Sequence, residues 1–215
     1  MSSPAVALDD AVVTRGGFPL LAGVSLRIDR GTLVALRGAN GAGKTSVLRL
    51  ISGLERLRSG AGEVLGIDLL KGDRRELRRR VGWMGHDGSF YEDLTVRENL
   101  EFAARALRRP LSDIDSALDT VGLAHRYSTP ARQLSAGQRR RMALGWIIVR
   151  RPELWLLDEP HAALDQSARD LVDELILDAL GVGVTVVISA HDDLGPRLAP
   201  QKVVTLSGGR IAGSP

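Results

Sequence analysis

Two hydrophobic patterns along the chain predict β-strands. Near the N-terminus, Val24, Leu26 and Ile28 alternate with polar residues, which predicts a strand with one buried face. Elsewhere, short and mainly apolar runs lie between turn-forming residues, and such runs are typical of strands buried on both faces. These runs cover residues 33–36, 154–157 and 184–189, and residues 202–211 predict a hairpin.

Apolar residues spaced three and four positions apart predict helices between these strands. The first helix presents four apolar residues on one face, namely Val47, Leu50, Ile51 and Leu54. Thr95 and Glu98 form the pattern of a capping box, which predicts a helix from there to about Arg108, before Pro110. Two further helices are predicted to start at Ser112 and after Ser135, and the second of them ends at Arg150. The last predicted helix ends near Gly181 and is lined by Ala168, Leu171, Val172, Leu175 and Ile176.

Strands that alternate with helices predict an α/β fold with a parallel core sheet. The helices within about 91–151 interrupt this alternation, so we expect them to form an inserted helical subdomain. The core then comprises about 1–90 and 152–215. A chain of 215 residues fits a single domain of this kind.

The composition is that of a soluble globular protein, with 44% hydrophobic and 26% charged residues. The absence of cysteine excludes disulfides, thiolate metal sites and a cysteine nucleophile. The longest apolar stretch near the C-terminus, 179–190, has 12 residues, whereas about 20 are needed to span a bilayer. Since the N-terminus also lacks the basic start of a signal peptide, we expect a cytoplasmic protein that does not cross a membrane by itself.

Arginine dominates the positive charge of the chain. The formal net charge is +3, and only three of the 29 cationic residues are lysine. Aromatic residues make up 4% of the chain, too few for the stacking platforms of single-stranded nucleic-acid binders, so no nucleic-acid partner is expected. Five arginines within 74–80 recur at helical spacing, and they form either a solvated face or a contact for anionic lipid headgroups.

A glycine-rich segment lies between the predicted strand 33–36 and the first helix. It reads Gly38-Ala39-Asn40-Gly41-Ala42-Gly43-Lys44-Thr45 and fits the phosphate-loop pattern G-x-x-x-x-G-K-[ST], with Ser46 next in the helix. The glycines allow backbone N–H groups to surround a phosphate at a helix N-terminus, which carries partial positive charge. Lys44 is expected to reach the β- and γ-phosphates of a nucleotide, and the Thr45 hydroxyl to ligate Mg²⁺.

Two carboxylates follow the apolar run 154–157. Asp158 is expected at the carboxyl edge of the sheet near the phosphate loop, where it would hold Mg²⁺ through water. Glu159, one residue further, is suited to accept a proton from an attacking water as a general base. Such a pair also occurs as a helix cap, but the phosphate loop favours the catalytic interpretation.

The segment Leu134-Ser135-Ala136-Gly137-Gln138, called the signature below, is a second phosphate-binding pattern at a helix N-terminus. Two such sites are hard to use on a single nucleotide. With the phosphate loop and the acidic pair, the signature makes the whole chain resemble the ATP-binding subunits of ABC transporters. The resemblance implies a phosphate-loop ATPase fold with a mixed, mainly parallel core sheet and an N-terminal antiparallel β subdomain. It also implies that the signature closes over ATP held by another subunit.

The resemblance assigns further residues by position. Asp165 matches the aspartate that runs along the dimer interface, and His191 matches the histidine that contacts the γ-phosphate. Ala136 replaces the first signature glycine and adds only a methyl group, so ATP is still expected to fit. His86 stands where the family has a glutamine, which leaves a metal or water contact there open.

Two residues near the N-terminus are candidates for contact with adenine. The family's stacking aromatic aligns with Arg15, whose planar guanidinium can stack on a base, and Phe18 is the other candidate. The alternative that neither residue touches the base stays open.

The phosphate loop and the acidic pair predict a magnesium-dependent ATPase. The resemblance implies that it forms half of a head-to-tail sandwich, either a homodimer or a pair with another ABC subunit. The resemblance implies an integral-membrane transporter subunit as partner, driven from the cytoplasmic face of the cell membrane. Phe90-Tyr91, Glu98-Asn99-Leu100 and the signature are similar to the ATP-binding subunits of heme exporters in cytochrome c maturation. The ATPase subunit of another exporter is the alternative within the family.

Three soluble kinds of ABC ATPase are rivals of the transporter interpretation. Chromosome-maintenance proteins carry a long coiled coil between phosphate loop and signature, for which the spacing from Lys44 to Ser135 leaves no room. Translation factors usually hold two cassettes in one chain, and this chain holds one. An accessory ATPase of iron–sulfur cluster assembly stays open, and a multi-span membrane partner would argue against it.

Overall fold

The computed structural model describes residues 3–85, 90–162, 164–191 and 194–212, which fold into two sheets with flanking helices. The strands in chain order are β1 (Val6–Arg15), β2 (Phe18–Ile28), β3 (Leu33–Arg37), β4 (Ser59–Val64), β5 (Ile67–Asp68), β6 (Val81–Met84), β7 (Leu154–Asp158), β8 (Thr185–Ser189), β9 (Lys202–Ser207) and β10 (Arg210–Ile211). The helices are α1 (Lys44–Ile51), α2 (Arg74–Arg80), α3 (Val96–Ala106), α4 (Asp113–Thr120), α5 (Ala136–Arg150) and α6 (Gln166–Gly181).

The core sheet has six strands in the order β10-β9-β3-β8-β7-β6. Neighbouring strands from β9 to β6 are parallel, and β10 pairs antiparallel with β9. A second sheet is wholly antiparallel and has the order β2-β1-β4-β5. The two sheets confirm the predicted α/β class with a mixed, mainly parallel core.

The core sheet is buried on both faces because successive residues of a strand point to opposite sides. Val34 and Leu36 of β3 belong to a hydrophobic cluster with α1 and the antiparallel sheet. Leu33 and Ala35 belong to a second cluster, which the helices α3 to α6 supply. The strand that leads into the phosphate loop therefore lies in the middle of the molecule.

Helices α3, α4 and α5 pack on one another beside the core sheet. A capping box begins α3 at Thr95, as the sequence predicts, and α5 begins after Ser135 as predicted, with a capping box between Ser135 and Gln138 that was not predicted. Helix α5 ends at Arg150 because Arg151 adopts a left-handed conformation with φ 49°, directly before Pro152. No helix among the described residues combines the length and the apolar character needed to cross a membrane.

Two helices end earlier than predicted. Helix α1 ends at Ile51, and Gly53 with φ 73° then turns the chain. Leu54 therefore lies beyond the helix and is 43% exposed, so its assignment to the apolar face is wrong. Helix α3 ends at Ala106 instead of near Arg108, whose φ of 54° is incompatible with helix continuation.

The arginine run of the sequence forms helix α2, and part of it bonds to the protein itself. Arg74 donates to the carbonyl of Glu55 at 2.7 Å. Arg80 donates to the carbonyl of Leu65 at 3.0 Å and to the Glu153 carboxylate at 2.6 Å. These bonds dock α2 on the core, so neither a purely solvated face nor a lipid contact accounts for these two arginines.

Candidate functional site

The predicted site residues converge where β3, β7 and β8 end. These strands are parallel neighbours, so their carboxyl ends meet at one edge of the sheet. The phosphate loop follows β3, β7 ends with Asp158, and β8 ends with Ser189. Asp158 and Ser189 are register partners in the β7–β8 pair.

The backbone of the phosphate loop depends on two of its glycines. Gly38 has φ 140°, and a Cβ there would lie 2.3 Å from the carbonyl oxygen of Leu206 in β9. Gly43 has φ 108°, and its Cβ would lie 3.2 Å from Leu21 of β2. A side chain at Gly38 would collide with the backbone of β9, and one at Gly43 would press on Leu21 in a backbone conformation that L-residues rarely adopt. The tip of the loop, 39–41, is exposed, and no side chain caps the N-terminus of α1.

Lys44 lies inside the phosphate loop, although it is a charged residue with only 5% of its surface exposed. Its ammonium group donates to the carbonyls of Gly38 at 2.7 Å and Ala39 at 3.3 Å. The same nitrogen lies 3.9 Å from Oε1 of Glu159. The cation is therefore available at the centre of the loop, beside the predicted general base.

A chain of hydrogen bonds joins the start of α1 to the ends of β7 and β8. The Thr45 hydroxyl donates to Oδ2 of Asp158 at 2.8 Å, and the Ser189 hydroxyl donates to Oδ1 at 2.5 Å. Ser189 also accepts the backbone N–H of Glu159 at 2.9 Å. Asp158 is buried, and its two carboxylate oxygens have different surroundings. Oδ1 is held by the buried Ser189, whereas Oδ2 bonds to Thr45, which is exposed.

Glu159 has a backbone conformation that non-glycine residues rarely adopt, with φ 49°. Its carboxylate is partly exposed, and Oε1 lies 3.7 Å from Nε2 of His191. His191 contacts Oδ1 of Asn40 in the phosphate loop through the same ring nitrogen. The structure thus brings the three predicted catalytic residues, Lys44, Glu159 and His191, to one place.

Three hydrogen-bonding side chains near Glu159 were not predicted from the sequence, namely Arg140, His161 and Ser189. The guanidinium of Arg140 on α5 donates to the Glu159 carbonyl, and burial lowers the pKa of Arg140 although Glu159 and Asp158 oppose this. His161 bonds through Nε2 to the buried Asp173 of α6 at 2.7 Å. Ser189, the third, was foreseeable as a polar residue at the end of a buried strand, whereas nothing local indicated the other two.

The signature lies apart from the phosphate loop of its own chain. The Ser135 hydroxyl accepts the N–H of Gln138 at 3.2 Å, and Gln138 accepts the N–H of Ser135 at 3.0 Å. Ser135 and Ala136 are exposed, while Gly137 approaches Leu164, to which a Cβ would come within 3.6 Å. In the described ranges, no hydrogen bond or ion pair connects these four signature residues with the loop.

Asp165 and the two adenine candidates are also exposed. Asp165 caps α6 by accepting the N–H of Ala168 at 2.8 Å. Arg15 forms an ion pair with Glu55, which ties its guanidinium to the protein. Phe18, at the start of β2, is 76% exposed. The remaining predicted site residue, His86, lies outside the described residues.

The oxygen atoms at this edge suit a magnesium ion. Mg²⁺ prefers oxygen ligands and commonly takes one or two from the protein, with phosphates and waters supplying the others. Thr45 Oγ1 and Asp158 Oδ2, 2.8 Å apart, are such oxygens. The described residues contain no group of three or more acidic, histidine or cysteine side chains that would hold a metal alone.

A phosphate loop, an acidic strand end and a distant signature together define a nucleotide-binding cassette. The family model described as ABC transporter matches residues 21–162. The chain therefore belongs to the ABC transporter family, as the sequence resemblance predicts, and it is an ABC-type ATPase.

Curated relatives resemble most of the chain. The cytochrome c biogenesis ATP-binding export protein CcmA of Rhodopseudomonas palustris (strain BisB5) is 39% identical over 84% of this chain and 88% of its own length. The protein of the same name from Nitrosomonas europaea (strain ATCC 19718) is 40% identical over 84% of this chain and 85% of its own.

Solved structures show the same fold. An ATP-binding subunit of an ABC transporter superposes with a TM-score of 0.88 at 27% identity, covering 96% of this chain and 88% of that one. A dimeric structure of MJ0796, a bacterial ABC transporter cassette, has a TM-score of 0.87 at 25% identity and covers 96% of both chains.

Proposed function

We propose that this ABC-type ATPase is the subunit that binds and hydrolyses ATP for an exporter of cytochrome c biogenesis. The observation that supports ATP hydrolysis is the convergence of five residues at one sheet edge, namely Lys44, Thr45, Asp158, Glu159 and His191. The relatives named as CcmA support the process, and we propose heme as the cargo on the sequence phrases similar to heme exporters.

Each residue of this edge has a distinct part in ATP hydrolysis. The N–H groups of the phosphate loop and Lys44 bind the β- and γ-phosphates. Thr45 and Asp158 hold Mg²⁺, which supplies positive charge next to the phosphates when it is bound. Glu159 accepts a proton from the attacking water, and His191 donates to the γ-phosphate. The buried bond from Ser189 keeps the Asp158 carboxylate turned toward Thr45.

A second copy of the chain, or another ABC subunit, completes the site. Ser135, Ala136, Gly137, Gln138 and Asp165 have no bond to the phosphate loop of their own chain within the described part, and most of them are exposed. We infer that they contact ATP held by the opposite subunit in a head-to-tail pair. The existence of a dimeric MJ0796 structure with the same fold supports this arrangement.

A cleft between the core and the helical subdomain is the proposed docking surface for the membrane partner. Its apolar lining includes Leu54, Trp83, Phe90 and Trp146, and Gly85, the residue before His86, also lines it. The rings of Phe90 and Trp146 meet edge to face, with centroids 6.4 Å apart. Binding of the partner in this cleft would hold the chain at the cytoplasmic face of the membrane. The proposed helical subdomain comprises about 91–151, and the proposed core comprises about 1–90 and 152–215.

ATP turnover of site variants tests the catalytic proposal. Glu159→Gln is expected to lower turnover by about 10²–10⁴-fold, because the amide cannot accept the proton, while ATP still binds. It should also accumulate as a dimer in size-exclusion chromatography with ATP and Mg²⁺. Lys44→Ala should lose ATP binding and stay monomeric. Glu63→Gln, on the exposed face of β4, is the matched control and should keep wild-type turnover.

Wild-type turnover of Glu159→Gln would contradict the catalytic assignment. If Ser135→Arg on every subunit leaves ATP-driven dimerisation intact, the two-subunit site is wrong. The membrane partner is tested by pull-down from solubilised membranes. A multi-span protein supports the exporter, whereas ribosomes or a soluble scaffold would favour one of the soluble rivals.

A further inference from the structure

The backbone N–H and carbonyl of Glu159 are both held by side chains of other elements. Its N–H donates to Ser189 of β8 at 2.9 Å, and its carbonyl accepts from Arg140 of α5 and from the Ala162 N–H at 3.1 Å. A non-glycine residue at φ 49° keeps that conformation only where its surroundings impose it. The direction of the Glu159 carboxylate therefore depends on these contacts.

We propose that Arg140 is a positioning residue for Glu159. By fixing the carbonyl, its guanidinium keeps the carboxylate beside Lys44 and His191, where Oε1 lies 3.9 Å and 3.7 Å from their nitrogens. This proposal rests on the proposed role of Glu159 as general base.

The chemistry of Arg140 fits positioning better than simple stabilisation. Burial of its guanidinium disfavours the charged form and lowers its pKa, so keeping a cation there is costly. The two neighbouring carboxylates, Asp158 and Glu159, offset part of that cost. The guanidinium nevertheless bonds to the backbone carbonyl of Glu159, which leaves the carboxylate available to accept a proton.

The position of Arg140 on α5 also connects the signature with Glu159. Arg140 lies five residues after Ser135, or about 7.5 Å along the helix. Both residues move together when α5 moves as a rigid body. The signature and the Arg140 contact with Glu159 therefore belong to one continuous helix.

The experiment compares Arg140→Gln with a matched control on the same helix. Arg150 is also a cation whose pKa is lowered by burial, and it also donates to a backbone carbonyl, that of Arg78 at 2.6 Å. It has no contact with Glu159 among the described residues. Arg140→Gln should lower kcat about tenfold or more while the Kd for ATP changes less than about threefold. Arg150→Gln should keep kcat within about twofold of wild type, even if its Tm falls as far as that of Arg140→Gln.

Two further measurements separate positioning from a structural effect. Arg140→Lys keeps a cation and a donor, so it should recover part of the lost kcat at unchanged Kd. In the Glu159→Gln background, Arg140→Gln should lower the residual turnover less than about twofold, because two residues that act through one step are not additive. The double variant should still dimerise with ATP and Mg²⁺.

Several outcomes would overturn the proposal. The first is an unchanged kcat in folded Arg140→Gln. The second is a further loss of turnover of about tenfold when Arg140→Gln is added to Glu159→Gln. The third is a double variant that no longer dimerises with ATP and Mg²⁺, which would place the effect of Arg140 at the signature. If Arg140→Gln does not fold, Arg140→Lys takes its place: a kcat between those of wild type and Glu159→Gln at unchanged Kd for ATP supports the proposal, and a kcat equal to either one overturns it. Wild-type turnover of Glu159→Gln itself would instead refute the proposed general base.

Discussion

Replacing Ser189 by alanine removes one hydroxyl that serves two buried partners. The hydroxyl donates to Oδ1 of Asp158 at 2.5 Å and accepts the N–H of Glu159 at 2.9 Å. Ser189 is fully buried and Asp158 is 5% exposed, so water cannot replace the lost contacts without opening the sheet edge. Ser189→Ala therefore leaves a carboxylate oxygen and a backbone N–H without these bonds.

The size of the effect follows from the two bonds. A hydrogen bond to a charged group contributes about 1.5–3 kcal/mol and a neutral one about 0.5–1.5 kcal/mol, so the free energy of unfolding should fall by about 2–4.5 kcal/mol. In a chain of this size, each kcal/mol lowers Tm by about 2–4 °C, which predicts a fall of about 4–18 °C. Such a loss is a large share of the about 5–15 kcal/mol that stabilises most domains.

Urea unfolding measures this loss, and a lower midpoint at unchanged m-value would identify it as a change in stability. Ser207→Ala is the control, because Ser207 is exposed at the end of β9 and should change stability by no more than about 0.5 kcal/mol. A loss below about 1 kcal/mol in Ser189→Ala would refute the reasoning, since it would mean that Asp158 and Glu159 find other partners.

Three further predictions concern other parts of the molecule. Phe18→Ala should raise the Kd for ATP about 5- to 150-fold by loss of stacking, and Arg15→Ala should raise it less, as measured by fluorescence titration. The same titration of the wild-type protein should show that ATP is preferred over GTP by less than about 100-fold. The Arg80 hydrogen bond lowers the pKa of Glu153 from its usual 4.5, so the stability it adds is present above about pH 4.5 and is lost as pH falls through the lower folded-state pKa. Urea unfolding from about pH 6 to 3 should show a shallower acid loss for Glu153→Gln. Replacing His86 by glutamine should flatten the pH profile of ATP turnover between about pH 5.5 and 7.5, and an unchanged profile would contradict a role for imidazole charge.

Local signals in the sequence predicted the elements that begin with their own caps. Thr95 with Glu98 and Ser135 with Gln138 make hydrogen bonds three residues apart, so the starts of α3 and α5 can be read from a few letters. The end of α1 was predicted less well, because Leu54 fits the apolar spacing while the backbone turns at Gly53.

The motif residues of the site were predictable because their spacing is local, and the residues that hold them were not. Lys44 and Thr45 lie in one continuous pattern, but the bond from Ser189 to Asp158 joins positions 31 residues apart. The contact of Arg140 with Glu159 crosses from a helix to a strand end. A single sequence contains no local signal for such pairs, since the fold alone decides which strand ends and helices meet.

Strand β3 has consequences for the order in which the protein folds during synthesis. Its two neighbours, β8 and β9, begin at Thr185 and Lys202, so both are translated about 150 or more residues after β3. Until then the apolar strand 33–37 has two open edges, a state that promotes pairing with other chains. Nascent chains that stop within α6 should therefore aggregate and require a chaperone, because the strand that leads into the phosphate loop lacks both neighbours until β8 and β9 are made.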